Sequence, residues 1–304
     1  MELRHLRYVL AVAEELHFTR AAERLCIGQP PLSQQIKQVE EEVGTKLFLR
    51  ETRSVKLTEA GRAFLPHARA ALRATEQAIQ AARQAARGEL GRVRIGFTSS
   101  ASFNRHVPGI ISHFRDAYPE VELDLMEQAT TLLLNALQED MIDIAFMRPT
   151  LGQREKLVSF GLPPEPLWLA LPTRHPLSKR KSLPLIDLSH EAFVLYPRQN
   201  GSLLYDSIIA ACRNAGFSPR IVQEAPQMAS TVNLVAAGVG VAIVPESMRQ
   251  IHPEGVAYVR IKDPTSTAML WVSHRHIEAV PPIVHNFMLE VERYLAHPEL
   301  HRAS

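Results

Sequence analysis

The 304-residue sequence predicts a multidomain chain: a small helical N-terminal domain, one long helix, then an α/β body. Three observations carry this. Before residue 60, apolar residues recur at helical spacing in three short runs separated by tight links. Between His67 and Arg87 there is no Gly or Pro, and alanine is frequent. From Val93 onward, short strand-like runs alternate with helical ones, the order of an α/β domain with a largely parallel sheet.

Leu3, Leu6, Val9, Leu10 and Ala13 predict a first helix near 2–15. Thr19 is placed to cap a short second helix whose apolar face is Ala21, Ala22 and Leu25. Ile27-Gly28 makes a tight link to Gln29-Pro30-Pro31, and proline suits the start of a helix. The third helix runs from about Pro30 to Glu42, with Leu32, Ile36, Val39 and Val43 expected inward and Gly44 as its stop. Two short β segments, Leu47-Phe48-Leu49 and Val55-Lys56-Leu57, flank a charged tip, Arg50 to Ser54, and read as a wing. Three helices and a wing make an all-α winged helix-turn-helix. Thr58 caps the long helix that follows. There Ala68, Leu72, Thr75, Ile79, Ala82 and Ala86 step by four and three, the rhythm of a coiled coil, with a kink expected at Pro66 and an end at Gly88 and Gly91.

In the body, strands are expected at 93–97, 121–126 and 142–147, with helices near 104–117 and 130–139. A second α/β set begins near Leu162. It has strands at 167–171, 192–195, 220–223 and 241–244, and helices at 202–214 and 229–237. A strand at 268–273 and a helix at 282–296 close the chain.

Composition is that of a globular protein, 46% hydrophobic and 22% charged, without a run of 18 apolar residues. The polar N-terminus, Met1 to His5, lacks a signal peptide's apolar core, so a cytoplasmic location with no membrane association is expected. The two cysteines, Cys26 and Cys212, fall in different predicted domains, so no disulfide is expected. Residues 1–92 carry fifteen Lys and Arg against eleven Asp and Glu, and no acid lies between Arg24 and Val39. A basic front end suits a polyanion.

A helix placed in the major groove reads base edges through polar side chains near its N-terminus. The third helix has these in Gln29, Ser33 and Gln34, with Lys37 one turn on. Gln can hold adenine through two hydrogen bonds, while Ser33 and Lys37 suit phosphates. Arg53 on the wing suits a narrow minor groove. The expected partner is double-stranded DNA. The plainer reading of the third helix alone is an amphipathic helix with a solvated face.

The sequence resembles the LysR-type transcriptional regulators, in the subgroup acting on aromatic-compound, muconate and acetoin metabolism. The resemblance rests on Met1 to Tyr8, Phe18-Thr19-Arg20-Ala21-Ala22-Glu23-Arg24-Leu25, Gln29 to Ile36, Glu40 to Phe48, and Leu57-Thr58-Glu59-Ala60-Gly61. It implies DNA-reading roles for Gln29, Pro30, Pro31, Ser33 and Gln34, and a minor-groove role for Arg53. Many relatives carry Arg where this chain has Gln34, which leaves the contact at position 34 open. It also implies a two-lobed α/β effector domain, periplasmic-binding-protein-like, with crossovers near 159–162 and 267–270. The expected division is 1–58 winged helix-turn-helix, 59–90 linker helix, and 91–304 effector domain. Within the last, lobe I is 91–161 with 268–304, and lobe II is 162–267. A homodimer paired through the linker helix, assembled into a homotetramer, is implied. So is activation of a catabolic operon, which would bring the protein to RNA polymerase.

Small ligands bind at the carboxyl ends of parallel strands and between lobes. Thr98, Ser99, Ser100 and Ser102 follow the first body strand, Thr130 and Thr131 the second, and Arg148 ends the third. Gln199-Asn200-Gly201-Ser202 opens a helix in the second set. Positions matching Ser100, Thr130, Arg148 and Ser202 line the effector pocket in similar family members. Together with Ser99 they form the candidate site for a small organic anion, a carboxylate. The hydroxyls have a plainer reading as helix caps, and Arg148 as half of a structural ion pair.

No nucleotide-binding loop, nucleophile elbow or zinc-protease motif is present, so no enzyme, metal or cofactor is expected. His274 and His276 have no partner cluster for a metal. A transport-type binding protein does not account for the first 90 residues. The alternative kept is a thiol-switched or ligand-independent repressor of the same fold. A thiol switch needs two cysteines within reach, whereas Cys26 is expected in the helix-turn-helix core and Cys212 buried in a body helix.

Overall fold

A computed structural model describes residues 1–50, 55–262 and 267–297 and divides into two compact units, residues 1–84 and the chain from Ala85 onward. In the first unit α1 (Leu3–Glu15), α2 (Phe18–Arg24) and α3 (Gln29–Val43) pack around Val9, Val12, Phe18, Ala21, Leu32, Ile36, Val39 and Leu47. His17, not Thr19, caps α2: its Nδ1 accepts the backbone N–H of Thr19 at 3.2 Å. The sequence rule favours Ser and Thr there, but a β-region imidazole presents the same acceptor. Gly44 ends α3 at φ +77°, the left-handed conformation that glycine tolerates. Val43 points outward, contrary to expectation, and the inward place in the last turn goes to Glu40.

Strands β1 (Phe48–Arg50) and β2 (Val55–Leu57) pair antiparallel as the wing's stem. Arg53 lies outside the described residues. Thr58 accepts the N–H of Gly61 at 2.8 Å and so caps α4 (Glu59–Ala86), a 28-residue helix assigned without a break through Pro66. Leu65 and Ala68 are buried in the domain, whereas Ile79 is half exposed.

The second unit begins with β3 (Gly91–Phe97), the short α5 (Ser99–Ser102), α6 (His106–Ala117), β4 (Val121–Glu127), α7 (Thr130–Gln138) and β5 (Ile144–Met147). Then come α8 (Leu151–Arg154) and β6 (Leu157–Gly161). The other lobe follows as β7 (Glu165–Pro172), β8 (Ser182–Leu183), β9 (Ala192–Leu195), α9 (Ser202–Asn214) and β10 (Arg220–Glu224). It continues through α10 (Met228–Ala236), β11 (Ala242–Pro245), β12 (Val256–Ile261) and β13 (Thr267–Ala268). The chain returns as β14 (Trp271–Arg275) and α11 (Pro282–Ala296).

The first lobe's sheet has the order β4-β3-β5-β14-β6, with β4, β3 and β5 parallel and β14 antiparallel to both its neighbours. Phe146, Phe114 and Phe287 fill its core under α6 and α11, and Leu133, Leu137 and Ile142 lie under α7. In the second lobe β7 lies between β11 and β12 and runs against both, whereas β9 pairs parallel with β10 and β12 with β8, so the sheets are mixed rather than largely parallel. Strands β8 and β12 lie outside the elements that the sequence predicts, and β6 overlaps the first expected crossover. The strand expected at 268–273 is two strands: β13 pairs with β7 in one lobe and β14 with β5 and β6 in the other. At the crossovers, Leu162 donates its N–H to the carbonyl of Leu270 at 2.9 Å. Gly88 sits at φ +69° with its backbone against Ile283, leaving no room for a side chain. No helix among the described residues is long and apolar enough to cross a membrane.

Candidate DNA-reading helix and inter-lobe cavity

Helix α3 presents Gln29, Pro30, Pro31, Gln34 and Lys37 to solvent, with Ser33 half-buried. Gln29 donates its side-chain amide to Ser33 Oγ at 2.8 Å, so these two already hold each other. Lys37 lies 3.5 Å from Glu41, an exposed pair of little energetic weight. Glu40 is the first of three consecutive acids at the helix's far end. It is 3% exposed, accepts the N–H groups of Leu47 and Phe48 at 3.0 and 3.1 Å, and pairs with Lys46 at 2.9 Å. Its carboxylate fastens the first wing strand to α3. The signal available was its step of four from Ile36, on the apolar stripe.

In the α/β body, a cavity of about 310 Å3 opens between the lobes, near the low end for small-molecule sites. The carboxyl ends of the three parallel strands reach it. Thr98, Ser99 and Ser100 follow β3, Glu127 to Thr130 end β4 and begin α7, and Arg148 follows β5. The other lobe contributes Tyr196, Asn200, Gly201, Leu204, Gln227 and Met228. Ser99, Ser100, Thr130 and Arg148 are thus brought together. Ser202 is not on the wall; it sits half-buried in the first turn of α9. Thr131 instead bridges the lobes, donating to the carbonyl of Gln199 at 3.3 Å.

Arg148 is 4% exposed and carries both readings the sequence left open. One terminal nitrogen donates to Ser100 Oγ at 2.7 Å, the other to Glu165 at 3.0 Å. Burial pulls its pKa down and Glu165 pulls it back up, and an arginine stays protonated throughout. Its Nε and the hydroxyl of Thr98 are buried without a protein partner. Buried polar groups are nearly always satisfied, and both orphans belong to residues that line the cavity. Tyr196 donates to the carbonyl of Gly201 at 2.8 Å, and burial raises its pKa, keeping the phenol neutral.

Sequence reasoning missed Glu165, as it did Glu127, Tyr196 and Gln227 on the cavity wall. Glu165 is 8% exposed at the start of β7 and gathers Arg148, Asn104 at 3.2 Å and the N–H of Ser247 at 3.0 Å. Its one sequence signal was an acid among Pro163, Pro164 and Pro166. One of the two thiols departs from expectation and the other meets it. Cys26 is exposed, not packed in the helix-turn-helix core, because φ +54° turns it out at the end of α2. Cys212 is fully buried, which pushes its pKa up to about 12.

A three-helix unit with an exposed polar face on α3, joined to a two-lobed α/β binding body, defines a DNA-binding regulator that carries its own ligand-binding domain. Residues 3–62 match the family described as bacterial regulatory helix-turn-helix protein, lysR family, and residues 86–296 match the LysR substrate binding domain. The chain is 41% identical over 285 residues to the HTH-type transcriptional regulator AlsR of Bacillus subtilis, covering 94% of each. The crystal structure of CbnR, a LysR family transcriptional regulator, superposes with a TM-score of 0.84 at 29% identity, over 96% of this chain and 100% of that one. Full-length CbnR complexed with its target DNA gives a TM-score of 0.82 at 28% identity, over 96% and 99%. The chain belongs to the LysR family of transcriptional regulators.

Proposed function

We propose that the protein is a homo-oligomeric, ligand-responsive regulator. On this reading α3 reads double-stranded DNA, α4 pairs two chains, and a small carboxylate bound between the lobes switches the regulator's action on its promoter. The observation that carries the effector assignment is the pair of orphans, Arg148 Nε and Thr98 Oγ, on one cavity wall. A carboxylate or hydroxyl oxygen is the acceptor that the Nε–H lacks. For pairing, α4 is about 42 Å long at 1.5 Å per residue, and its second half leaves Ile79 and several alanines exposed. Assembly into a tetramer and action as an activator of a catabolic operon rest on the family resemblance. A thiol switch gains no support, because a thiol with a pKa near 12 holds almost no thiolate and Cys212 is the body's sole cysteine.

A thermal-melt screen of the full chain against aromatic and short-chain carboxylates tests the effector reading. At hundredfold excess over Kd, a true ligand adds about 2.7 kcal/mol, roughly 5–10 °C for a body of this size. Arg148→Lys keeps a charge for Glu165 but removes the Nε–H and the planar fork. That variant should melt near the wild type without ligand and bind the ligand about tenfold more weakly, near 1.4 kcal/mol. Equal ligand shifts in both proteins would remove Arg148 from the site.

A further inference from the structure

The strand ends that reach the cavity are ordered in space. In the sheet β3 lies between β4 and β5, and Phe97 is in register with Glu127 on one side and Phe146 on the other. Neighbouring strands lie about 4.8 Å apart, so Glu127 and Arg148 stem from strand ends separated by roughly 10 Å, with Thr98 between them.

Their charges do not play equal parts. Among the wall residues, Arg148 and Glu127 are the basic and the acidic side chain, and burial keeps the Tyr196 phenol neutral. Arg148 is already balanced by Glu165 at 3.0 Å. No ion pair involves Glu127 among the described residues. One oxygen accepts the side-chain amide of Gln227, from the other lobe, at 3.2 Å. Charge on the wall is therefore set by Glu127, and it is negative. One end of the cavity offers unpaired groups for an acceptor, and the other offers a carboxylate that seeks a donor. Leu132, Leu204 and Met228 supply apolar surface for a short hydrocarbon.

We infer that the inter-lobe cavity selects a small monocarboxylate bearing a hydrogen-bond donor, a hydroxyl or an ammonium, at its far end, and that Glu127 sets this selectivity by excluding dicarboxylates. The ligand carboxylate lies toward Arg148 Nε and Thr98 Oγ, and its donor lies against Glu127. A second carboxylate there would face Glu127 directly, and like-charge juxtaposition disfavours it. The inference rests on the cavity being the effector site.

Calorimetric titration of the full chain tests it with acids matched in length from three to six carbons. The four-carbon set is butyrate, 4-hydroxybutyrate, 4-aminobutyrate and succinate. At the best-fitting length, the hydroxy or amino acid should bind at least about tenfold tighter than the plain acid, with the dicarboxylate weakest. Glu127→Gln should weaken the amino acid about tenfold, strengthen the dicarboxylate by a similar factor, and leave the hydroxy acid nearly unchanged. The tighter of the amino and hydroxy arms tells the ammonium source from the hydroxyl source. A dicarboxylate that binds the wild type most tightly, with no change in Glu127→Gln, overturns the inference. The double variant Ser99→Phe, Leu132→Trp fills the cavity and separates the two claims. If it abolishes binding of a preferred dicarboxylate, the selectivity fails and the site stands. Binding that survives it overturns the site, and no binding by any acid overturns both.

Discussion

Arg148→Met should lower the stability of the α/β body by about 3–5 kcal/mol, a fall in Tm of roughly 10 °C or more. The cause is what remains behind. Glu165 would be left buried with Asn104 and the Ser247 N–H but no cation. Removing one half of a buried ion pair is far more damaging than removing both. The double variant Arg148→Met, Glu165→Leu should therefore recover a good part of the loss, a coupling expected of groups in contact. Chemical unfolding of the wild type, Arg148→Met, Glu165→Leu and the double variant measures it. If Arg148→Met stays within about 1 kcal/mol of the wild type, the buried pair does not carry the stability expected of it. This cost is also why Arg148→Lys, which keeps the charge, is the better probe of ligand binding.

The Arg148–Glu165 pair shows where sequence reading stops. The order of helices and strands was legible because it depends on local spacing. Gly44, Thr58 and the run without Gly or Pro in α4 are all local signals. So were the strand ends that place Ser99, Ser100, Thr130 and Arg148 on one cavity. What could not be read are long-range pairings. Glu165 is 17 residues from Arg148 and 61 from Asn104, and nothing in its neighbourhood names either partner. Glu40 resembles its neighbours Glu41 and Glu42 in sequence, and what sets it apart is the N–H groups of Leu47 and Phe48 that it accepts from the start of the wing. Ser202 shows the converse. Its position before a helix was read correctly, but it lies off the cavity wall while Gly201 and Asn200 lie on it. Val43 kept the apolar rhythm but lies in the last turn before Gly44, beyond the core.

The second large effect concerns the linker helix. A chain ending at residue 70 should bind promoter DNA about 10²–10⁴-fold more weakly than the full chain. It keeps Leu65 and Ala68, which are buried in the N-terminal core, and loses the exposed half of α4 around Ile79. A single α3 exposes few cations, with Lys37 beside Glu41, so one copy makes a limited set of phosphate contacts. Two copies linked through α4 would gain avidity without any new contact to DNA. Fluorescence anisotropy at one salt concentration makes the comparison, because phosphate contacts weaken steeply with salt. Equal affinity of the short and full chains would mean that pairing through α4 contributes nothing to DNA binding.

The central claim is that one chain couples a paired DNA reader to a carboxylate-sensing cleft. The most direct test is a footprint of the full chain on its own promoter, with and without the tightest-binding carboxylate from the melt screen at hundredfold excess over Kd. The account predicts that the carboxylate changes the protected segment or the affinity, and that Arg148→Lys at the same ligand concentration shows a reduced change. An identical footprint and affinity with the cleft demonstrably filled would contradict it.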